Sequence, residues 1–246
     1  MKRLLAIALA ALALPSGVSS GAPITVFGAA SLTEVLTRVD NGPRYSFAGS
    51  DQLALQIRQG APADVFAAAS PKYTELLYRD GFVLKPVVFA TNRLIVIVPR
   101  SNPAKIANVY DLRRQGIKLV VGDKAVPIGA YTRQILDTLG ITNDVMKNVV
   151  SQETDVKGIV AKVALGEADA GFVYRTDAKP VASRTRAVAL PAWAQPPINY
   201  EAAVVKASPN QTAGKAFVKK LISVRGRKLL TQAGFGVPRK RPLRKK

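Results

Sequence analysis

Neither cysteine nor histidine occurs among the 246 residues. The first absence excludes disulfides and a lipid-modified cysteine anchor. The second removes the usual general base at neutral pH, the usual zinc ligand, and the Ser-His-Asp and Cys-His nucleophile arrangements together. Ser-x-x-Lys, the phosphate-cradling G-x-x-x-x-G-K and calcium loops of the D-x-D-x-D-G kind are also missing. Conventional hydrolase chemistry lacks its parts, so the chain reads as a non-enzyme with no cofactor and no directly ligated metal cation.

Acidic residues are scarce: 16 Asp and Glu stand against 36 Lys and Arg, for a formal charge of +20. Such an excess points to nucleic acid, an acidic membrane surface or an anionic ligand. Six of the positive charges lie in residues 239–246 (RKRPLRKK), which follow Pro238 and contain no aromatic residue to stack on bases. That stretch is expected to be a solvated, disordered tail, and no nucleic acid is expected as a partner.

Long apolar runs are equally rare. The one at residues 4–14 is too short for a bilayer span of ~20 residues. It follows Lys2 and Arg3 and precedes Pro15, Ser16, Gly17 and small residues up to Ala22. This layout predicts a secretory signal peptide over residues 1–22, cleaved near Ser20 or Ala22. An exported chain with neither a membrane span nor a lipid anchor is expected to be free in the bacterial periplasm.

What is present is organised around residues 46–70 (SFAGSDQLALQIRQGAPADVFAAAS). They read as strand end, loop, helix, turn and strand. Ser50 follows Gly49 and precedes Leu53, Leu55 and Ile57, which predicts Ser50 as the N-cap of a short helix ending at Gly60. A helix start behind a glycine turn presents unpaired N–H groups and the positive end of the helix dipole, the makings of an anion site. The arrangement recurs upstream. Residues 24–28 read as a strand, Ala29 and Ala30 as a turn, and Ser31 to Glu34 match the S-x-x-E capping box.

Further strands are expected at 44–48, 64–69, 93–99, 118–121, 148–150, 170–174, 187–190 and 200–205. Helices are expected from Ser70-Pro71 to Gly81, at 109–115 and 130–139, from Thr154 or Asp155 to Leu165, and at 211–222 and 225–233. Strands alternating with helices predict the α/β class with mainly parallel sheets. In such sheets ligands bind beyond the carboxyl ends of strands.

Five features fall there: Ser31, Ser50, the turn 127–129 with Ile128 at its centre, Val156, and Tyr174. Each also has a purely structural reading, as a cap, a helix start or a core side chain. Together they supply neutral O–H and N–H donors and no carboxylate, which suits a small, fully ionised oxyanion. At ~1.5–3 kcal/mol for each hydrogen bond to a charged group, five or six reach the ~8 kcal/mol of micromolar affinity after the entropy of binding.

Residues 26–32 (VFGAASL), 46–69 with GAPADVF at its centre, 120–131 (VVGDKAVPIGAY), 171–178 (GFVYRTDA) and the terminal Gly234-Phe235 together resemble the molybdate-binding proteins of ABC transporters, a family of periplasmic solute-binding proteins. The resemblance covers residues 23 to 235. It implies a type II periplasmic-binding-protein fold, with lobe 1 formed by 23–90 and 199–235, lobe 2 by 91–198, and a basic tail from 236 to 246. It further implies a monomer that captures molybdate, and tungstate with it, in the inter-lobe cleft and delivers it to a permease with its ATPase.

The family's ligand roles carry over to Ser31 and Ser50 as hydroxyl and backbone donors, to Ile128 and Val156 as backbone N–H donors, and to Tyr174 as a phenol donor. Three departures stand out. Ile128 replaces the family's common alanine, a bulk that narrows the cleft if it points inward. Asp51 follows Ser50 and is expected to face away from the ion. The segment 39–44 is short. The competing readings are a binding protein for another small oxyanion such as sulfate, and an exported basic protein that binds polyanions.

Overall fold

The computed structural model describes residues 22–238. The expected signal peptide up to Gly21, and the tail from Arg239 onward, lie outside them.

The first half of the chain runs β1 (Thr25–Ala29), α1 (Thr33–Val39), β2 (Arg44–Ala48), α2 (Ser50–Arg58), β3 (Val65–Ala68), α3 (Pro71–Arg79), β4 (Val87–Asn92) and β5 (Leu94–Pro99). It continues with β6 (Leu119–Gly122), α4 (Pro127–Leu139), α5 (Thr142–Met146), β7 (Val149–Glu153), α6 (Val156–Ala164), β8 (Ala170–Tyr174), α7 (Arg175–Ala178) and β9 (Thr185–Val188). β10 (Ile198–Val204), α8 (Gln211–Ile222) and α9 (Val224–Ala233) complete it, with short 3₁₀ turns between.

Ten strands form two five-stranded sheets of the same design. The first has the order β2-β1-β3-β10-β4 and the second β7-β6-β8-β5-β9. In each, three neighbours pair in parallel and the fourth strand lies antiparallel between its two partners. Four of the five strands in each sheet therefore run one way. The reversed strand is the one delivered by a crossing from the other sheet: β5 directly after β4, and β10 after β9.

Side-chain alternation explains the layering. Phe27, Phe66 and Ala68 face one side of the first sheet and join Leu53, Ile57 and Leu77 of α2 and α3 in one apolar cluster. Val26, Val65 and Ala67 face the other side and pack with Val35, Leu36, Phe217 and Leu221. In the second sheet Leu94, Val96, Ile97 and Val98 of β5 are all buried, as expected of a strand covered by helices on both faces.

The crossings are narrow. Arg93 alone separates β4 from β5, and the return runs over residues 189–197. The two are tied by one side chain: Gln195 Oε1 accepts from Leu94 N–H at 3.1 Å, and Gln195 Nε2 donates to the Leu94 carbonyl at 2.7 Å.

Several elements differ from the sequence expectation for identifiable reasons. β4 is an addition to the expected strands: residues 87–92 end in the polar Thr91 and Asn92, and only the β-branched run after Arg93 reads as a strand by itself. The stretch 109–115 forms a 3₁₀ turn, Val109–Arg113, closed by an Asn108–Asp111 capping box. α4 begins at Pro127 rather than Ala130, since proline fits the first helical position, where its missing N–H costs nothing.

Candidate functional site

A small cavity of about 20 Å³ lies between the sheets. Ser31, Ser50, Ile128, Val156 and Tyr174 all line it, together with Ala29, Gly49, Ala69, Pro127 and Asp155 among others. Each of the five is at most 4% exposed.

Their placement follows from chain topology. Ser31 sits in the 3₁₀ turn Ala30–Leu32 directly after β1, and Ser50 is the first residue of α2 directly after β2. Ile128 is the second residue of α4, beyond β6. Val156 is the first of α6, beyond β7, and Tyr174 is the last of β8. Backbone N–H groups in a first helical turn have no carbonyl partner within their own helix. Four helix starts thus aim unpaired N–H groups and positive dipole ends at one space.

Neither serine caps its helix as the spacing predicted. Gly49 holds the N-cap position of α2, and the turn at Ser31 has no side-chain cap bond. The serine oxygens are used elsewhere. Ser50 Oγ accepts from Ala69 N–H at 3.1 Å. Ser31 Oγ and Tyr200 Oη share a hydrogen bond of 2.9 Å. Asn92 Nδ2 also donates to Tyr200 Oη at 3.4 Å, and either hydroxyl can be the donor between Ser31 and Tyr200. Ser50 acts as an acceptor toward the protein, which leaves its hydroxyl proton free to donate into the cavity. No local pattern marks Tyr200, Asn92 or Ala69 for this role, because they come from β10, from β4 and from the residue after β3.

Tyr174 Oη is buried and has no hydrogen-bond partner. Burial pushes its phenol pKa well up, and the nearby Tyr200, Tyr131 and Asp177 add to the shift, so the proton stays on as a donor. The ring is held edge-on against Tyr200, with centroids 5.7 Å apart.

Two carboxylates adjoin this donor set. Asp155 lines the cavity, contrary to the expectation of a carboxylate-free wall. Its Oδ1 is occupied as the cap of α6, accepting from Lys157 N–H at 2.7 Å and Gly158 N–H at 3.3 Å. Asp51 is not among the lining residues. Its Oδ1 lies over Gly49 and its carboxyl is pushed up by burial, against the pull of the Asp51 and Gln52 N–H groups. The bulk of Ile128 is accommodated by Gly122. A Cβ there would lie 2.7 Å from Ile128 Cγ2, so the absence of a side chain on β6 makes the room.

The two sides of the cavity touch. Lys157 Nζ reaches Glu34 Oε1 at 2.8 Å and Asp177 Oδ1 at 3.0 Å. Tyr73 Oη, from α3, donates to the Ala125 carbonyl in the loop before α4. Burial pushes the Asp177 carboxyl up to about 7 although Lys157 pulls it down; Glu34 and Asp155 push the same way as burial.

The sign for stability follows. The folded state holds this proton more tightly than an unfolded aspartate with pKa ~3.9. Stability from this group is therefore fully present below about pH 4 and is lost as pH rises through about 7. Urea midpoints taken from pH 4 to 8 are expected to fall over that window and to flatten in Asp177→Asn. An unchanged slope in the variant would remove Asp177 as the source.

The cavity between the two sheets gathers helix starts and buried hydroxyls, with the capping Asp155 beside them, around one small space, the setting of a solute-binding protein. The chain belongs to the bacterial extracellular solute-binding protein family, whose model matches residues 24–236. Among its relatives, the molybdate-binding protein ModA of Mycobacterium tuberculosis is 37% identical over 235 residues, covering 91% of this chain and 88% of the relative. The ModA of Haemophilus influenzae is 35% identical over 257 residues, covering 96% and 99%. The fold matches the Azotobacter vinelandii periplasmic molybdate-binding protein with a TM-score of 0.78 at 21% identity, over 88% of this chain and all of that one.

Proposed function

We propose that this chain captures molybdate, and tungstate in the same way, and delivers it to an ABC permease with its ATPase. In this reading it acts as a monomer outside the cytoplasm. Its lobes divide near residues 91 and 199, and the ion sits in the cavity between them. Ser31 and Ser50 donate hydroxyl and backbone protons, Ile128 and Val156 donate backbone N–H, and Tyr174 donates its phenol.

The observation that carries the proposal is the Tyr174 hydroxyl. It is a buried donor with no partner, facing a space onto which four helix starts converge. A buried polar group left unpaired costs ~1–3 kcal/mol, and an oxyanion at that point offsets the cost. Bound oxygen atoms accept from every wall and need no proton transfer. Closure over the ion then fixes both lobes in one relative position.

Calorimetric titration of the mature chain with molybdate, tungstate, sulfate and phosphate tests this. Molybdate and tungstate are expected at micromolar affinity or tighter, with sulfate and phosphate weaker. Submillimolar sulfate binding without a molybdate signal would replace molybdate by sulfate.

A further inference from the structure

Lys157 joins three of the segments carrying the proposed donors. It directly follows Val156. Glu34 lies three residues beyond Ser31, and Asp177 three beyond Tyr174. The ammonium bridges the two carboxylates, with Nζ 2.8 Å from Glu34 Oε1, 3.0 Å from Glu34 Oε2 and 3.0 Å from Asp177 Oδ1. Glu34 belongs to α1, which packs on the first sheet. Lys157 and Asp177 belong to α6 and α7, which pack with the second.

The two carboxylates are not equivalent. The Asp177 side chain is 1% exposed, and neither of its oxygens has a hydrogen-bond partner, so once the carboxyl is ionised the ion contact with Lys157 is what compensates its charge. Separating that pair would leave a buried charge alone, which is costly. The Glu34 side chain is 51% exposed and returns to water at little cost. When the lobes part, Lys157 therefore stays with Asp177 and gives up Glu34.

We infer that Lys157, anchored on Asp177, is a latch that holds the closed cleft by gripping Glu34 across it. Resting on the proposed capture of molybdate, this makes Lys157 a positioning residue that sets how long the ion is retained. The grip forms after the ion has entered, so it acts on release and leaves encounter unchanged. It is half-exposed, so salt weakens it.

The test measures release of radiolabelled molybdate into excess unlabelled molybdate, and uptake, at low and high salt, for wild type, Glu34→Gln and Lys157→Arg. Glu34→Gln is chosen because it leaves the buried pair intact. It is expected to release the ion about three- to tenfold faster, in the range of a half-exposed ion pair doubly engaged. Its uptake rate and ligand-free melting temperature should match wild type, and the salt dependence of release should be lost. Lys157→Arg retains slow release.

Equal release rates and equal salt dependence in Glu34→Gln and wild type overturn the latch. A wild type that takes up no molybdate overturns the function reading instead. The latch rests on that reading and falls with it, whereas equal release from a wild type that binds molybdate overturns the latch alone.

Discussion

Gly49→Ala is expected to leave the ligand-free fold standing and to weaken molybdate binding by about 10- to 100-fold. Gly49 has φ −58° and ψ 139°, a conformation that alanine adopts without strain. The obstacle lies across the cleft. A Cβ at this position would sit 2.6 Å from the Thr154 carbonyl oxygen and 2.6 Å from Asp51 Oδ1. The Asp51 side chain can turn aside, whereas Thr154 O is backbone at the entrance to α6. The added methyl thus collides only when the two sides meet. Overpacking of this kind costs ~1–3 kcal/mol, which brackets the quoted range in affinity at ~1.4 kcal/mol per tenfold. Calorimetry against thermal melting separates the two states: binding should fall while the melt without ligand holds. An alanine variant that binds like wild type would show that closure does not bring Gly49 and Thr154 together.

Tyr174→Phe is expected to move binding and stability in opposite directions. Without ligand, the Tyr174 hydroxyl is buried and unpartnered. Its removal relieves a desolvation cost, so the ligand-free variant should be as stable as wild type or more so. With the oxyanion present, the same hydroxyl is a charge-assisted donor worth ~1.5–3 kcal/mol, so affinity should drop roughly tenfold or more. The phenylalanine ring keeps the edge-on contact with Tyr200, so packing is not the cause of either change. Denaturant melts with and without molybdate measure both effects on one protein. A variant destabilised without ligand would show that the hydroxyl has a structural partner, and unchanged affinity would take Tyr174 out of the site.

The α/β class was legible because glycine turns and Ser or Pro helix starts punctuate the chain at regular intervals. Helix α8 was read to the residue, and Ser70 was identified correctly as the cap of α3, since both depend on local chemistry. Positions at strand ends were legible for the same reason, and those positions bring Ser31, Ser50, Ile128, Val156 and Tyr174 to one cavity. The roles of the serine oxygens were not legible. A capping box is a local pattern, and Ser31 satisfies it in sequence, but Tyr200, 169 positions away, takes the hydroxyl instead. The sequence leaves the cap of α6 open between Thr154 and Asp155, and Asp155 holds it. Its place in the cavity wall depends on how the two sheets meet, which no local spacing encodes. Lys157 escaped notice because its partners, Glu34 and Asp177, are brought together only by that same meeting.

The Gln195 amide that clasps Leu94 has a mechanical consequence. Two separate strands joining two bodies would permit twisting as well as bending. Clasped side by side, the crossings at Arg93 and at residues 189–197 behave as one flat strap, and a strap bends about a single axis. On the proposed division into lobes, the motion left to them would be a one-dimensional swing, ending where Gly49 meets Thr154. An outside surface that touches both lobes would meet one of two shapes rather than a continuum. Whether the cavity is filled thereby becomes readable at a distance, as a yes or a no.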